Sequence, residues 1–515
     1  MSITFISMLF FRLAVKTAYQ SFTKASIDRK NVLIFEVNDE TIALAEAINI
    51  SKDDVYNLVA FVSPKKKHTR VKILGKPILK FGADFKASID PLKIDGVIIP
   101  SKPSNNTINS ELIDFCLENG IQVLSFPKIE IREGQNSDIL KNIRQIQIED
   151  LLERNEIILD DTLISKFIED KVVLITGGAG SIGSEIVRQV AGYNPSKMIV
   201  FDQAESPLYD LSLELLSDFP TSNFEFVLGD VRNSKRLSML FEDNDISIVY
   251  HAAAYKHVPI IEENPKEAVD VNILGTINLA DLSVAHKVER FVMVSTDKAV
   301  NPTNVMGATK RCAELYVQSL KDLDHNTSQF ITTRFGNVLG SNGSVIPHFK
   351  KLIQRGGPLT VTHKNIYRYF MTITEACQLV LQAGTMGNGG EIFVFDMGQP
   401  MKILTLAEKM IRLSGLEPYK DIDIQITGLR PGEKLFEELL SDDSLTLPTH
   451  HDKIMIAKQS CSSHNQVLDQ LNNILIAAAS SNNEEVVRNI KFLIPEYKSN
   501  NSIFESLDNS ISPPL

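Results

Sequence analysis

The sequence has few cysteines, no long hydrophobic run and no excess of positive charge. Its four cysteines lie far apart and form no C-x-x-C pair, which argues against a disulfide framework or a zinc site and indicates a reducing compartment. The net charge is −11, which argues against nucleic acid as the main partner. The chain has 515 residues, 43% of them hydrophobic, so we expect a soluble globular protein of two or three domains.

The longest uncharged apolar stretch covers residues 1–11, well short of the roughly 20 residues that a membrane-spanning helix needs. It also lacks the basic start and the small-residue cleavage site of a signal peptide, so it argues against export. Residues 1–30 are rich in Lys and Arg and contain one acid, Asp28. That polarity fits a helix on a membrane surface, and a terminal helix packed on the core is the other interpretation. We therefore predict a cytoplasmic protein, with a peripheral position on the inner face of the cytoplasmic membrane as the alternative.

Four short apolar segments, at residues 32–35, 58–62, 96–99 and 122–124, alternate with helical or turn segments. This alternation predicts a parallel α/β domain at residues 31–130, followed by a connector at residues 131–170. The turn after the first segment, residues 36–40, contains no glycine and is rich in acids, so we expect this domain to bind no dinucleotide. The Asn/Ser-rich tail, residues 498–515, is predicted to be disordered.

The most informative stretch covers residues 171–202. An apolar run is followed by the turn TGGAGSIG at residues 176–183, a helix-like segment and a second strand that ends at Asp202. The glycines allow a tight turn and let backbone N–H groups approach a pyrophosphate at the start of the helix. A carboxylate about 20 residues further on can accept the hydroxyls of an adenosine ribose. The pattern predicts a Rossmann-type domain, a doubly wound parallel sheet, at residues 171–335.

Later strand ends extend the predicted cofactor site, because open parallel sheets bind ligands at the carboxyl ends of their strands. An acid after the third strand can meet the adenine amino group, and small residues after the fourth let the cofactor lie close to the sheet. Asp202 would repel a 2′-phosphate, so NAD is predicted rather than NADP. The residues predicted here are Gly177, Gly180, Ser181, Ile182, Gly183, Asp202, Asp230, Val231, Ala252, Ala253 and Asn272.

Five motifs together resemble a known family. They are TGGAGSIG at residues 176–183, HAAAYKHVP at 251–259, STDKAVNPTNVMGATKR at 295–311, RFGNVLGSNGSVIP at 334–347 and LRPGEK at 429–434. They are similar to the extended short-chain dehydrogenase/reductases, and more closely to the bacterial nucleotide-sugar 4,6-dehydratases of polysaccharide biosynthesis that act on UDP-N-acetylglucosamine. The resemblance covers residues 31–497. Long members of that family begin with transmembrane helices, and residues 1–30 resemble the segment that follows them.

The resemblance implies a hydro-lyase that converts a UDP-sugar to its 4-keto-6-deoxy form with NAD as cofactor. It also implies that the first α/β domain is a degenerate Rossmann-like domain. The strict alternation weakens after residue 335, where loop signals predict a smaller substrate-binding lobe and C-terminal elements at residues 336–497. We further expect a homo-oligomer. No metal is predicted.

The catalytic residues are also taken from the resemblance. Ordinary short-chain dehydrogenases use Tyr-x-x-x-Lys. Here Met306 replaces the tyrosine and is expected to contact the substrate, and Lys310 keeps the lysine's place, where it would bind the nicotinamide ribose. Long dehydratases carry methionine at this position, so proton transfer falls to residues 296–298. The resemblance assigns Lys298 as the base at C5, Asp297 as the acid at C6 and Thr296 as the group at the C4 hydroxyl. It implies diphosphate contacts by three further residues, Asn337, Arg368 and Arg430.

Two other functions stay open from the sequence. A UDP-sugar 4-epimerase would share both nucleotide sites but normally relies on the tyrosine that Met306 replaces. A non-catalytic dinucleotide sensor would tolerate Met306 but would have no reason to keep the three residues at 296–298 together. The dehydratase accounts for both features.

Overall fold

The computed structural model describes residues 12, 29–50, 55–63, 71–100, 106–126, 143–151, 157, 159–438, 446–459, 462–480 and 482–508. The chain divides into two compact units, one comprising Met1–Glu153 and Lys409–Pro418, the other Arg154–Glu408 and Tyr419–Leu515. The prediction of a membrane-surface helix within residues 1–30 falls almost entirely outside the described residues.

The first unit contains a seven-stranded sheet of order β3-β4-β2-β1-β5-β6-β7. The five strands from β4 to β6 in this order run parallel. The four apolar segments of the sequence coincide with β1, β2, β5 and β6, whose apolar residues are largely buried, as expected of a parallel sheet. The strands are β1 (Lys30–Phe35), β2 (Tyr56–Ser63), β3 (Lys72–Ile73), β4 (Lys76–Lys80), β5 (Gly96–Pro100), β6 (Gln122–Phe126) and β7 (Arg144–Gln145); the helices are α1 (Asp39–Ile50), α2 (Phe85–Ile89) and α3 (Asn106–Glu118).

The second unit is built on a nine-stranded sheet of order β10-β9-β8-β11-β12-β13-β18-β22-β21. The strands of this unit, including three two-stranded pairs outside the large sheet, are β8 (Val172–Thr176), β9 (Lys197–Asp202), β10 (Phe224–Leu228), β11 (Ile248–His251), β12 (Arg290–Thr296), β13 (Gln329–Phe335), β14 (Asn337–Val338), β15 (Leu359–Val361), β16 (Tyr367–Arg368), β17 (Phe370–Met371), β18 (Ile392–Phe395), β19 (Met401–Lys402), β20 (Ile424–Ile426), β21 (Thr446–Pro448) and β22 (Ile454–Ala457).

The strand order of the large sheet confirms the predicted doubly wound α/β fold. Its first six parallel strands follow the Rossmann order 3-2-1-4-5-6, with the reversal between β8 and β11. The helices are α4 (Asp161–Ile168), α5 (Ser181–Ala191), α6 (Glu205–Asp218), α7 (Ser234–Asp243), α8 (Val258–Glu263), α9 (Pro265–Ala268), α10 (Gly275–Ala285), α11 (Val305–Ser319), α12 (Val345–Gln354), α13 (Ile373–Met386), α15 (His464–Ala479) and α16 (Asn483–Leu493), together with α14 (Ile403–Leu413), which belongs in part to each unit.

Two hydrophobic clusters cover the two faces of this sheet. One contains apolar residues of α5 and α13, and the other contains α11 together with α15 and α16. The last two long helices, which belong to the C-terminal elements predicted within residues 336–497, share the core of the nine-stranded sheet. The stretch Pro265–Ala285, a π-helical turn flanked by α9 and α10, is long and apolar enough to cross a membrane, but 61% of its 18-residue apolar window is buried within the fold.

The tail predicted to be disordered is folded as far as Asp508, which corrects that expectation for residues 498–508. A 3₁₀ turn covers Ile503–Leu507, and Lys491 in α16 forms an ion pair of 2.5 Å with Asp508. The Asn and Ser side chains that suggested disorder make specific hydrogen bonds instead, such as the 2.5 Å bond from Ser502 Oγ to Glu262.

Candidate active site

The glycine-rich turn joins β8 to α5 where the strand order of the sheet reverses. Gly177 has a φ of 68°, and a Cβ at this position would lie 2.6 Å from the Ala253 nitrogen. A Cβ at Gly183 would lie 2.0 Å from the Gly177 carbonyl oxygen. Both positions therefore require glycine. Gly180 precedes the first turn of α5 and contributes no side-chain capping bond, so a phosphate oxygen can take the place of the cap.

Two carboxylates line the cleft beside this turn. Asp202 accepts backbone hydrogen bonds from Ala179 and Ala204, both 2.9 Å long, which fix it against the turn. Asp230 pairs with Arg232 through Nε at 2.9 Å and Nη2 at 2.7 Å. Burial alone would raise the pKa of Asp230, but the bonds from Arg232 lower it, so this carboxylate is ionised. Seven predicted cofactor residues line the cleft: Gly177, Gly180, Asp202, Asp230, Val231, Ala252 and Ala253.

Asn272 does not line this cleft, and its assignment as a cofactor contact is corrected. Its side chain is fully buried. Its amide bonds to both backbone groups of Tyr255, at 2.8 and 3.1 Å, and to Thr309 Oγ1 at 3.1 Å. Asn272 therefore holds the segment after β11 against α11. Ser181 is also engaged within the chain, because its Oγ accepts a 3.1 Å bond from the Asn342 backbone.

A second cleft, which is open to solvent, adjoins the ends of β12 and β13. Lys310 donates to the Val294 carbonyl at 2.8 Å, and its burial lowers its pKa to about 8. Met306 occupies the position of the usual tyrosine one helical turn before Lys310 and is buried. Predicted site residues that line this cleft are Ile182, Ala252, Thr296, Lys298, Met306, Lys310 and Asn337.

The three residues predicted to transfer protons form one hydrogen-bonded group at the end of β12. Thr296 Oγ1 donates to Asp297 Oδ1 at 2.8 Å, and Lys298 Nζ donates to the same oxygen at 3.0 Å. Burial alone would raise the pKa of Asp297, but the nearby charge of Lys298 and the Thr296 bond lower it. Burial alone would lower the pKa of Lys298, but the charges of Asp297 and Glu437 raise it. The resting pair is therefore a carboxylate and an ammonium.

Glu437 completes this group, and the sequence did not reveal it. Its Oε1 lies 3.0 Å from Lys298 Nζ and 3.3 Å from Arg368 Nε, and the Asn337 amide donates to its Oε2 at 3.1 Å. Its side chain is 4% exposed. Burial raises the pKa of Glu437, and the Asp297 charge raises it further. Glu437 stands among Leu435, Phe436 and Glu438 in the sequence, a context that gives no signal of a buried functional acid.

Two of the three residues predicted to hold a diphosphate, Arg368 and Arg430, line a third cleft. Arg368 forms ion pairs with Glu433 at 3.2 Å and with Glu437 at 3.3 Å. Arg430 lines the same cleft and is exposed. Asn337 lies between Lys298 and Glu437, with bonds of 3.2 and 3.1 Å. The structure thus brings Asn337 and Arg368 to the proton-transfer group, with Arg430 in the adjoining cleft.

A family model described as "Polysaccharide biosynthesis protein" matches residues 173–459. The chain belongs to this polysaccharide biosynthesis family. It is 45% identical over 392 residues to the capsular polysaccharide biosynthesis protein CapD of Staphylococcus aureus, which covers 76% of this chain and 64% of that protein. The chain therefore spans less than two thirds of this relative's length. The match confirms the resemblance to the extended short-chain dehydrogenase/reductases of polysaccharide biosynthesis.

Shorter relatives match about half of the chain. A UDP-N-acetylglucosamine 4,6-dehydratase (inverting) of Campylobacter jejuni is 38% identical over 53% of this chain and 78% of its own length. A UDP-glucose 4-epimerase of Rickettsia canadensis is 35% identical over 54% of this chain and 79% of its own length. The solved structure of Pen from Bacillus thuringiensis aligns with a TM-score of 0.53 at 34% identity, covering 58% of this chain and 92% of that one.

Proposed function

We propose that the protein removes water from a UDP-sugar, converting UDP-N-acetylglucosamine to the UDP-4-keto-6-deoxy sugar for surface polysaccharide or glycan synthesis. The observation that carries the proposal is the hydrogen-bonded group of Thr296, Asp297 and Lys298 beside Met306. This group offers an acid and a base next to each other without the tyrosine. The similarity to a UDP-N-acetylglucosamine 4,6-dehydratase supports the choice of substrate.

The first cleft fits a nicotinamide dinucleotide, which when bound accepts and returns the hydride of this reaction. The uncapped start of α5 and the close approach at Gly177 suit the pyrophosphate. Asp202 is placed to accept ribose hydroxyls and to repel a 2′-phosphate, which favours NAD. Lys310 reaches into the second cleft, where it would bind the nicotinamide ribose.

The protein's own part in the mechanism is to move two protons. Oxidation of C4 releases the proton of its hydroxyl, which passes to Thr296 as Thr296 hands its own proton across 2.8 Å to Asp297. The protonated Asp297 then gives this proton to the C6 hydroxyl, which leaves as water. Lys298, as a neutral amine, removes the C5 proton that the C4 ketone acidifies and later returns it. The C4 proton leaves in the water, and the C5 proton is only borrowed.

The diphosphate of the substrate would bind the cations of the third cleft. The guanidinium group of Arg368 suits bidentate phosphate binding, and in the structure two carboxylates, Glu433 and Glu437, occupy its donors. Substrate binding therefore requires the diphosphate to replace these carboxylates at Arg368. The exposed Arg430 can reach the same ligand from the edge of the cleft.

The direct test is to incubate the purified protein with UDP-N-acetylglucosamine and to follow the sugar nucleotide by mass spectrometry. Loss of one water supports the proposal. An epimerase would give an isomer of unchanged mass, and a sensor would leave the substrate unchanged; either result would refute it. Asp297→Asn and Lys298→Ala should each lower kcat by at least about 10². Circular dichroism and the amount of NAD released on denaturation should match wild type in both variants.

A further inference from the structure

The proposed mechanism needs Lys298 as a neutral amine, but the structure holds it as an ammonium. Its Nζ lies 3.0 Å from Asp297 Oδ1, 3.2 Å from Asn337 Oδ1 and 3.0 Å from Glu437 Oε1. An ammonium has three protons, so each proton has its own acceptor. No lone pair is available to a substrate in this arrangement, and one of the three acceptors must take a proton before Lys298 can act as a base.

Only one of these three acceptors is basic enough to take the proton and has no other role in the proposed mechanism. The amide oxygen of Asn337 is not a proton acceptor of comparable basicity. Asp297 receives the C4 proton through Thr296 in the proposed mechanism and needs its free capacity for that proton. Glu437 has no other part in the reaction, and its carboxyl group is 4% exposed. A proton that moves to Glu437 therefore stays inside the site.

The charges around Glu437 decide where this proton rests. Burial and the nearby Asp297 raise the pKa of Glu437, and two cations, Lys298 and Arg368, lower it. A diphosphate bound to Arg368 would take up one of these cations and add negative charge nearby. Both effects favour a neutral Glu437. The groups that face Glu437 are Asp297 and Lys298 after β12, Asn337 in β14, Arg368 in β16 and the following Tyr369, with Glu433 beside Arg368 on its own segment.

We propose that Glu437 is a positioning residue that takes a proton from Lys298 when the substrate's diphosphate engages Arg368, and so creates the amine that acts at C5. The N–H bond of Lys298 directed at Oε1 breaks, an O–H bond forms on Glu437, and the electron pair stays on Nζ. No other reactant is needed. The inference rests on the proposed function and links the binding of the nucleotide to the activation of the base.

The first test compares the pH dependence of kcat in wild type, Glu437→Gln and Glu437→Asp. Glutamine keeps the shape of the side chain but cannot take the proton, so Lys298 must lose it to solvent. We expect Glu437→Gln to lower kcat about 10²-fold at pH 7, with KM changed much less. Its kcat should then rise about tenfold per pH unit up to pH 9, whereas wild type and Glu437→Asp stay nearly flat between pH 7 and 9.

The matched control is Glu438→Gln. Glu438 is the next carboxylate along the chain, is 37% exposed and pairs with Lys434 at 3.2 Å. Its substitution should leave the pH profile of kcat unchanged. A profile of Glu437→Gln that matches wild type in height and slope would overturn the inference while leaving the dehydratase proposal intact. Circular dichroism and thermal unfolding show whether each variant is folded. If the glutamine variant is not, the UDP-dependent labelling of Lys298 in wild type still tests the inference.

A second test measures how much of Lys298 is present as the neutral amine, without any turnover of substrate. The protein is labelled briefly with trace acetic anhydride, which reacts with neutral amines, and acetylation of Lys298 is measured by peptide mass spectrometry with and without UDP. UDP should increase the labelling in wild type and not in Glu437→Gln. Equal increases in both proteins, or no increase in wild type, would refute the inference. Because this measurement needs no reaction, it separates failure of the Glu437 inference from failure of the proposed activity.

Discussion

A buried ion pair behind the proton-transfer group offers a quantitative test of the structure. Glu314 in α11 and Arg334 in β13 have side chains that are 0% and 1% exposed. Arg334 binds both carboxylate oxygens of Glu314, through Nε at 2.8 Å and through Nη2. Arg311 and Ser295 add bonds of 3.2 and 2.6 Å to the same carboxylate. The perturbation is Glu314→Gln, which keeps the volume but removes the charge.

The size of the effect follows from this burial. Removing one partner of a buried pair typically costs about 3–5 kcal/mol because the other charge stays buried and uncompensated. In Glu314→Gln this charge is Arg334, which keeps one other bond, of 3.0 Å, to Gln459. A loss of this size would lower the Tm of the second unit by on the order of 10 °C. A Glu314→Met/Arg334→Met variant, which removes both charges, should recover much of the loss.

The assay is differential scanning calorimetry, because the chain has two units whose transitions must be resolved. Glu289→Gln is the matched control, since this 53% exposed carboxylate pairs with Lys171 at the surface and should change stability by less than about 1 kcal/mol. Burial alone would raise the pKa of Glu314, but Arg334 lowers it. The stability that this carboxylate contributes is therefore present above about pH 4.5 and is lost as pH falls through the lower pKa of the folded state. A Tm for Glu314→Gln within 1 °C of wild type at pH 7 would refute the reasoning.

Two further predictions concern the cofactor and the substituted tyrosine. Denatured wild type should release NAD, and release of NADP alone would contradict this prediction. In titration calorimetry Asp202→Ser should raise the ratio of NADP to NAD affinity at least tenfold, since the carboxylate at the glycine turn would no longer repel a 2′-phosphate. Wild type should be active without the tyrosine that Met306→Tyr would restore, because the acid and base lie at residues 296–298, and Met306→Ala should mainly raise KM. An inactive wild type whose turnover appears in Met306→Tyr would overturn the mechanism.

The parts of the fold that the sequence predicted depend on local pattern. The parallel strands predicted in both sheets are short apolar segments in regular alternation with helices, and this periodicity can be read without tertiary information. The turn at residues 176–183 could also be predicted from the sequence, because Gly177 and Gly183 are required by backbone contacts within one βα unit and its neighbour strand. The three residues at 296–298 were found together because they are adjacent in the chain.

Composition misled the prediction where long-range contacts decide the outcome. The tail after residue 497 is polar, which is typical of disorder, but its amides satisfy backbone groups of the LRPGEK loop. The backbone carbonyl of Asn500 accepts a 2.7 Å bond from the Gly432 nitrogen, and its side-chain amide donates a 3.0 Å bond to the Glu433 carbonyl. Asn501 donates a 2.7 Å bond to Leu429. The tail thus holds the loop that carries Glu433 and Arg430, and no local pattern in either segment indicates the pairing.

Glu437 illustrates the same limit within the candidate active site. It lies 139 residues after Lys298, and only the folded chain shows that Lys298 donates a hydrogen bond to it. The resemblance assigned the acid to Asp297 and the base to Lys298. In the structure Asp297 is a carboxylate and Lys298 an ammonium, so each starts in the protonation state opposite to the one its role needs. A mechanism that uses both residues must therefore supply Asp297 with a proton and remove one from Lys298. Thr296 can do the first because it already donates to Asp297, and Glu437 is the acidic group in contact with Lys298 that can do the second.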